Sequence, residues 1–298
     1  MLIGHQKALS FFENCIKNGN LAHAYCFVGR DQTGKRTMAN YVAAKLLAVE
    51  AAKLSSHTDY YYVERQVNEK TGKLNQDISV AQARQFKEFA NRRAWMGGYK
   101  VGIIDEAEKL NKESGNALLR VLEESAGRSV FFLLTADDTG LLPTIRSRCQ
   151  VFYFAPAPAE EIRAGLAEAG YGERAAMAAK LALGKPGLAI DLAENEERLN
   201  GWLGEVKRWE EIIGRPVYER MKKMENLLEK DEKGLNKDRM NEVLEIWQTL
   251  WREVMLGKRP GPAACQAAAI IDSIGQTRAL LRQNVNQRLA VEQLLLNW

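Results

Sequence analysis

Short apolar runs alternate with segments of helical period through the first half of the chain. Residues 5–18 place Ala8, Leu9, Phe12 and Ile16 on one face of a predicted helix. Ala24-Tyr25-Cys26-Phe27-Val28 reads as a strand. A helix starts near Lys35, runs through Met38, Tyr41, Val42, Lys45, Leu46 and Leu47, and ends near Ala52. A polar stretch with Asp59-Tyr60-Tyr61-Tyr62-Val63 carries the next strand, and Ile78 to Ala94 a helix. Lys100 to Asp105 is a short buried strand, Leu110 to Ser125 a helix, Val130 to Thr135 another strand and Val151 to Phe154 the last. Such alternation predicts an α/β unit, a parallel sheet with helices on both faces. Ligands of these sheets bind at the carboxyl ends of the strands.

The pattern changes after Pro156 and Pro158, which mark a boundary. Glu160 to Ala169, Arg174 to Leu183 and Leu188 to Asn195 read as three short helices, and a longer helical segment begins near Glu196. Trp202 and Trp209 are seven apart and Trp247 and Trp251 four apart, a spacing that predicts packing in a core or a subunit interface. The charged span Glu219–Arg239 reads as an amphipathic helix with Met221, Met224, Leu227 and Leu228 on one side, followed by a polar turn around Gly234. Lys258-Arg259-Pro260-Gly261-Pro262 breaks the pattern, and Ala263 to Leu296 forms one or two last helices. The division predicted is 1–155, 156–197 and 198–298.

Chemistry gathers in the first of these. Gly29-Arg30-Asp31-Gln32-Thr33-Gly34-Lys35-Arg36, between strand and helix, has the form G-x-x-x-x-G-K-x. In a phosphate-binding loop of this kind the backbone N–H groups surround phosphate, the lysine reaches the outer phosphates, and a final Ser/Thr hydroxyl holds Mg²⁺. Both glycines and Lys35 are present, but Arg36 fills the hydroxyl position. Thr37 follows one helical step, about 100°, further round. The same residues also read as a Gly-rich turn with no ligand. Ile103-Ile104-Asp105-Glu106 has the form of a strand delivering a metal-binding Asp105 and a water-polarising Glu106; alternatively Glu106 is a helix N-terminal acid. Thr135, at a strand end, can sense phosphate or cap a turn.

Composition narrows the classes. The chain has 298 residues, 46% hydrophobic and 27% charged, ordinary for a globular protein of two or three domains. A net charge of +4 permits contact with nucleic acid without demonstrating it. No apolar run approaches membrane-spanning length, and the first residues carry no signal-peptide pattern. Cys15, Cys26, Cys149 and Cys265 are scattered, which points to a reducing compartment and away from a cysteine-based zinc site. Cys15 and Cys26 read as core residues. His5, His23 and His57 lack metal spacing, and there is no Ser-His-Asp or Cys-His constellation.

His23-Ala24-Tyr25, the segment Ile104 to Leu110, Asn116-Ala117-Leu118-Leu119-Arg120-Val121-Leu122-Glu123-Glu124 and Ile145-Arg146-Ser147-Arg148-Cys149 occur in that order. Across residues 1–155 the set resembles the bacterial clamp-loader subunits of DNA polymerase III, within the AAA+ superfamily, and among them the delta-prime type. The resemblance implies an AAA+ P-loop domain, then a small helical lid and an all-α collar. It implies that Arg148 acts in trans as an arginine finger on the ATP of an adjacent motor subunit, since a guanidinium beside a transferring phosphate stabilises the charge that develops.

Three features point to delta-prime: Arg36; a chain that starts almost directly at Ile3-Gly4-His5-Gln6, without the adenine-enclosing segment of motor subunits; and Gly187, where their lid carries a sensor arginine. Residues 48–76 have no cysteine, unlike the zinc module common in both types. The expectation is a cytoplasmic, bacterial subunit of the DNA polymerase III holoenzyme with no intrinsic ATPase. It needs no cofactor and no zinc, and Lys35 and the loop amides leave weak ATP or ADP binding open. Expected partners are the motor and delta subunits of a hetero-pentamer, the sliding clamp, and primer-template DNA within the complex. An active gamma/tau-like motor subunit, or another AAA+ DNA-repair or recombination protein, is the alternative; Asp105 and Glu106, both intact, favour the motor.

Overall fold

Five strands form one wholly parallel sheet in the order β2-β3-β4-β1-β5, where β1 is Ala24–Val28, β2 Tyr60–Val63, β3 Lys100–Ile104, β4 Ser129–Thr135 and β5 Gln150–Tyr153. Four lie where apolar runs predict them, and β2 lies on the tyrosine run of the polar stretch between β1 and β3. The first unit's helices are α1 (Gln6–Asn18), α2 (Lys35–Leu47), α3 (Val80–Asn91), α4 (Lys112–Glu123), the short α5 (Pro143–Arg146), α6 (Ala159–Glu168), α7 (Arg174–Leu181) and α8 (Pro186–Glu194). The second unit is helical: α9 (Glu196–Ile212), α10 (Val217–Leu228), α11 (Lys237–Met255), α12 (Ala264–Leu281) and α13 (Gln287–Leu296). This computed structural model describes the chain except residues 69–71, 73, 96–97, 124–127, 229–236, 282–284 and 297, and except the side chains of 225–228, 237 and 238. The two compact units are Met1–Glu194 and Asn195–Trp298.

Each central strand is buried on both faces, which is why its sequence is a continuous apolar run. Along β4 the side chains alternate between two cores. Phe131 and Leu133 join Cys26, Phe86, Leu118 and Leu122 on one face. Phe132 and Leu134 join Phe12, Tyr25, Phe27, Met38 and Val42 on the other. Phe12 is the hub of the second, with ring centroids 5.0 to 6.0 Å from Tyr25, Phe27, Phe132 and Phe152.

Helix boundaries depart from expectation in informative places. α2 stops at Leu47 because Ala48 turns left-handed (φ 55°), and 51–56 form a separate 3₁₀ helix. α3 stops at Asn91, and Lys100 supplies the reason. Its fully buried ammonium donates to the carbonyls of Phe89, Ala90 and Arg92, the free end of that helix. At its other end α3 carries a capping box between Ser79 and Gln82. A 3₁₀ turn at Ala107–Lys109 delays α4 to Lys112.

α6, α7 and α8 bury Ile162, Leu166, Ala178, Leu188 and Leu192. In the second unit Trp202 and Trp209 of α9 and Trp247 and Trp251 of α11 are buried, as their spacing predicts, and Trp209 meets Trp251 edge-on at 5.4 Å. The amphipathic span read over 219–239 is two helices, α10 and α11. The turn expected around Gly234, Glu124 of the α4 motif, and the side chains of Leu227 and Leu228 lie outside the described residues. Among the described residues, no helix is long and apolar enough to cross a membrane.

Candidate functional site

The phosphate-loop motif sits where its sequence predicts, between the carboxyl end of β1 and α2. Gly29 is required by packing: a Cβ there would run into the carbonyl of Phe154. Gly34 is left-handed at φ 102° and so is Gln32 at φ 63°. The loop is braced from three sides. Thr33 Oγ1 donates to Arg30 O at 2.7 Å, His5 Nε2 donates to Thr33 O at 2.8 Å, and the Gly187 N–H donates to Gln32 O at 2.9 Å. Gly187, read from sequence only as a missing arginine, therefore has a positive role. A Cβ there would press on Gln32 at 3.1 Å, so glycine lets α8 approach the loop.

A cleft of about 280 Å³ opens at this point, with Lys35, Arg36, Thr37, Asp105, Leu134 and Gly187 in its walls. Lys35 is buried and donates to the carbonyls of Gly29 and Arg30. Burial lowers its pKa against the opposing pull of Asp31, Asp105 and Glu108. Arg36 points away from the loop: its guanidinium lies 4.2 Å over the Tyr62 ring and 3.8 Å from Glu64. Thr37 is exposed on the first turn of α2.

The two acids are occupied by groups the sequence reading passed over. Tyr62 Oη donates to Asp105 Oδ2 at 2.6 Å, and burial followed by this bond raises the phenol pKa. Arg65 forms a two-pronged pair with Glu106, Nε to Oε2 at 2.6 Å and Nη2 to Oε1 at 2.5 Å, which raises the guanidinium pKa. Glu106 is left-handed (φ 49°) and precedes the 3₁₀ turn, so it is not the first acid of a helix. Only strand pairing reveals Tyr62: β2 runs beside β3 in the register Val63↔Ile104, which carries the end of the Tyr60-Tyr61-Tyr62 run alongside Asp105. Thr135 is buried at the end of β4, where its hydroxyl donates to Asp137 O at 2.8 Å and accepts from Asp137 N at 3.2 Å, the turn-capping arrangement.

Arg148 belongs to another part of the unit. α5 ends at Arg146, and Ser147-Arg148-Cys149 turns into β5, the sheet edge. Arg148 Nε donates to Glu123 Oε1 at 2.8 Å and Nη1 to Thr144 O at 2.8 Å, so α4 and α5 hold the side chain. Its side chain stays one-third exposed. Cys149 turns inward, and burial pushes its thiol pKa up to about 12. β5 runs parallel to β1 with Tyr25 opposite Gln150 and Val28 opposite Tyr153. The turn therefore lies at the amino end of the sheet and the phosphate loop at the carboxyl end, separated by three residue steps of strand, about 10 Å, plus the turns themselves.

A family model described as "DNA polymerase III, delta subunit" matches residues 4–158. The DNA polymerase III subunit delta' of Pseudomonas aeruginosa is 36% identical over 142 residues, 43% of this chain and 42% of that protein. The subunit delta' of Escherichia coli K12 is 34% identical over 143 residues, 47% of this chain and 41% of that protein. The chain thus matches less than half the length of these relatives. A solved DNA polymerase III gamma subunit-related protein of Thermotoga maritima superposes with a TM-score of 0.54 at 19% identity, over 96% of this chain and 97% of that one. That likeness is one of fold alone, a parallel sheet followed by helices. With more than half of its length matched by the family model, the chain belongs to the DNA polymerase III delta subunit family, and the relatives named here are of the delta-prime kind.

Proposed function

We propose that this chain is a delta-prime-like subunit of the DNA polymerase III clamp loader. It hydrolyses no ATP itself and supplies Arg148 to the nucleotide of a neighbouring motor subunit while the sliding clamp is loaded onto primer-template DNA. The observation that carries this reading is the placement of Arg148 at the opposite end of the sheet from the chain's own phosphate loop. A guanidinium there serves a phosphate only if another subunit presents it. The Glu123 pair fixes the side chain in a one-third-exposed position from which it can exchange one anionic partner for another. The local site supports the other half. Arg36 stands where a metal-binding hydroxyl belongs, Tyr62 occupies Asp105 and Arg65 holds Glu106. Residues 1–155 then act as the AAA+ domain, 156–197 as its lid and 198–298 as the collar joining this subunit to the motor and delta subunits of a hetero-pentamer.

Intact Asp105 and Glu106 favour one second reading, in which the cleft still binds ATP or ADP weakly without turnover. Reconstitution with motor and delta subunits tests the proposal. Arg148→Ala is expected to abolish turnover at the one motor site beside this subunit, a loss of about 10³-fold at that site, while assembly is retained. DNA-stimulated ATPase unchanged in the complex would overturn the finger role. Turnover by the isolated subunit that disappears in Lys35→Ala would overturn the non-hydrolysing one.

A further inference from the structure

Three of the segments that carry the family resemblance are joined by direct contacts: the one opening at His23, the α4 run and the Arg148 turn. His23 stands immediately before β1, and its main chain is fixed there, its carbonyl accepting from Phe131 N of β4 at 2.8 Å. Its half-buried ring turns to α4, where Nε2 donates to the carbonyl of Leu122. Leu122 lies in the last turn of α4. Carbonyls of a last helical turn have no partner within the helix, and an imidazole can take one up.

The next residue along α4 is Glu123, which holds Arg148. Arg148 Nε donates to Glu123 Oε1 at 2.8 Å, and Nη1 donates to Thr144 O of α5 at 2.8 Å. Glu123 thus sets one edge of the guanidinium and α5 the other. α5 is seated separately, near the start of α4. A Cβ on Gly115 would strike Leu142 at 2.3 Å and Ile145 at 3.3 Å, so glycine lets α5 lie against α4 at that point. The end of α4 is held by the buried side chains of Val121 and Leu122 and by the His23 bond. Apolar burial is non-directional. It keeps the last turn on the sheet but does not fix its rotation, and a hydrogen bond to a main-chain carbonyl does. The direction in which Glu123 points therefore depends on His23.

We propose that His23 is a positioning residue for Arg148. Through Leu122 O it fixes the last turn of α4, and through Glu123 it holds the guanidinium in the orientation that a neighbouring subunit's phosphate requires. The assignment rests on Arg148 acting in trans, so two measurements are made, one of which does not depend on that role. The first, on the full chain alone, follows solvent exchange of the Arg148 Nε–H by NMR. His23→Leu, which keeps the bulk and removes the donor, is expected to speed exchange about tenfold, the equivalent of one hydrogen bond. His23→Gln, whose amide N–H reaches the same carbonyl, is expected to restore the parent rate. The second, on the reconstituted complex, follows turnover at the motor site beside this subunit. There His23→Leu is expected to lower kcat about tenfold with KM unchanged, and His23→Gln to recover it. Parent-like exchange in folded His23→Leu would overturn the proposal, as would a loss that His23→Gln does not recover, which would make His23 a packing residue. Unchanged turnover in His23→Leu where Arg148→Ala abolishes it would overturn the positioning role and leave the finger role standing. Unchanged turnover in both variants would overturn the finger role and this assignment with it.

Discussion

At position 36 a single residue changes the electrostatics of the whole cleft. A hydroxyl there would share Mg²⁺ with Asp105; arginine brings its own charge, stacks on Tyr62, and Tyr62 in turn donates to Asp105. The cleft is thus arranged without a metal, and nucleotide affinity is expected to be insensitive to Mg²⁺. Arg36→Thr alone should change little, because Tyr62 still holds Asp105. Arg36→Thr combined with Tyr62→Phe frees both metal ligands and should make ADP bind about tenfold more tightly with Mg²⁺ than with EDTA. Calorimetry with and without Mg²⁺ checks this; Mg²⁺-dependent binding by the parent chain would sink it. The loop, Lys35, Asp105 and the Arg148 turn were legible in sequence because each is a local spacing. Tyr62 and Arg65 were not, because their partners are 43 and 41 residues away and meet them only through strand pairing. Thr135 remained ambiguous for a similar reason: a strand-end hydroxyl looks the same in sequence whether it faces phosphate or, as here, its own turn.

Among the elements, α3 shows how an end is set by something distant. Its amino end carries a cap written into the sequence, Ser79 with Gln82 three residues on. Its carboxyl end carries none, so apolar periodicity alone runs the predicted helix on to Ala94. The stop is imposed by Lys100, the first residue of β3, whose ammonium takes up the terminal carbonyls. Lys100→Met should fit the same space and leave those carbonyls unpaired, lowering stability by about 2–3 kcal/mol. Denaturant unfolding checks it, with the midpoint falling at constant slope. Lys100→Arg should recover only part, since a planar fork does not converge on three carbonyls as an ammonium does. A Met variant as stable as the parent would show that water or a frayed last turn satisfies the helix end equally well. The central strands β1, β3 and β4 were the most legible elements, because burial on both faces leaves a continuous apolar run too short for a typical helix. Their order in the sheet was not, since no local feature of β1 records that β4 and β5 flank it.

The two units of the molecule have separate cores of different composition, and this makes their stabilities separately readable. Five of the six tryptophans, at 202, 209, 247, 251 and 298, lie in the second unit; the sixth, Trp95, is 83% exposed and changes environment little on unfolding. The first unit is instead reported by Cys26 and Cys149. Burial pushes both thiols up to about 12, so they carry negligible thiolate at neutral pH and stay inert until that unit opens. Cys265, exposed in the second unit, reacts in the native state and supplies the reference. Phe12 is the hub of one face of the first core, and Phe12→Ala is expected to remove about 3–5 kcal/mol. If each unit is stabilised by its own core, slow thiol labelling should move to lower denaturant in this variant while the tryptophan transition stays in place. If the units unfold as one, both probes shift together. The first outcome is expected, because the two core clusters of the first unit, around Phe86 and around Phe12, are built wholly from that unit's own residues.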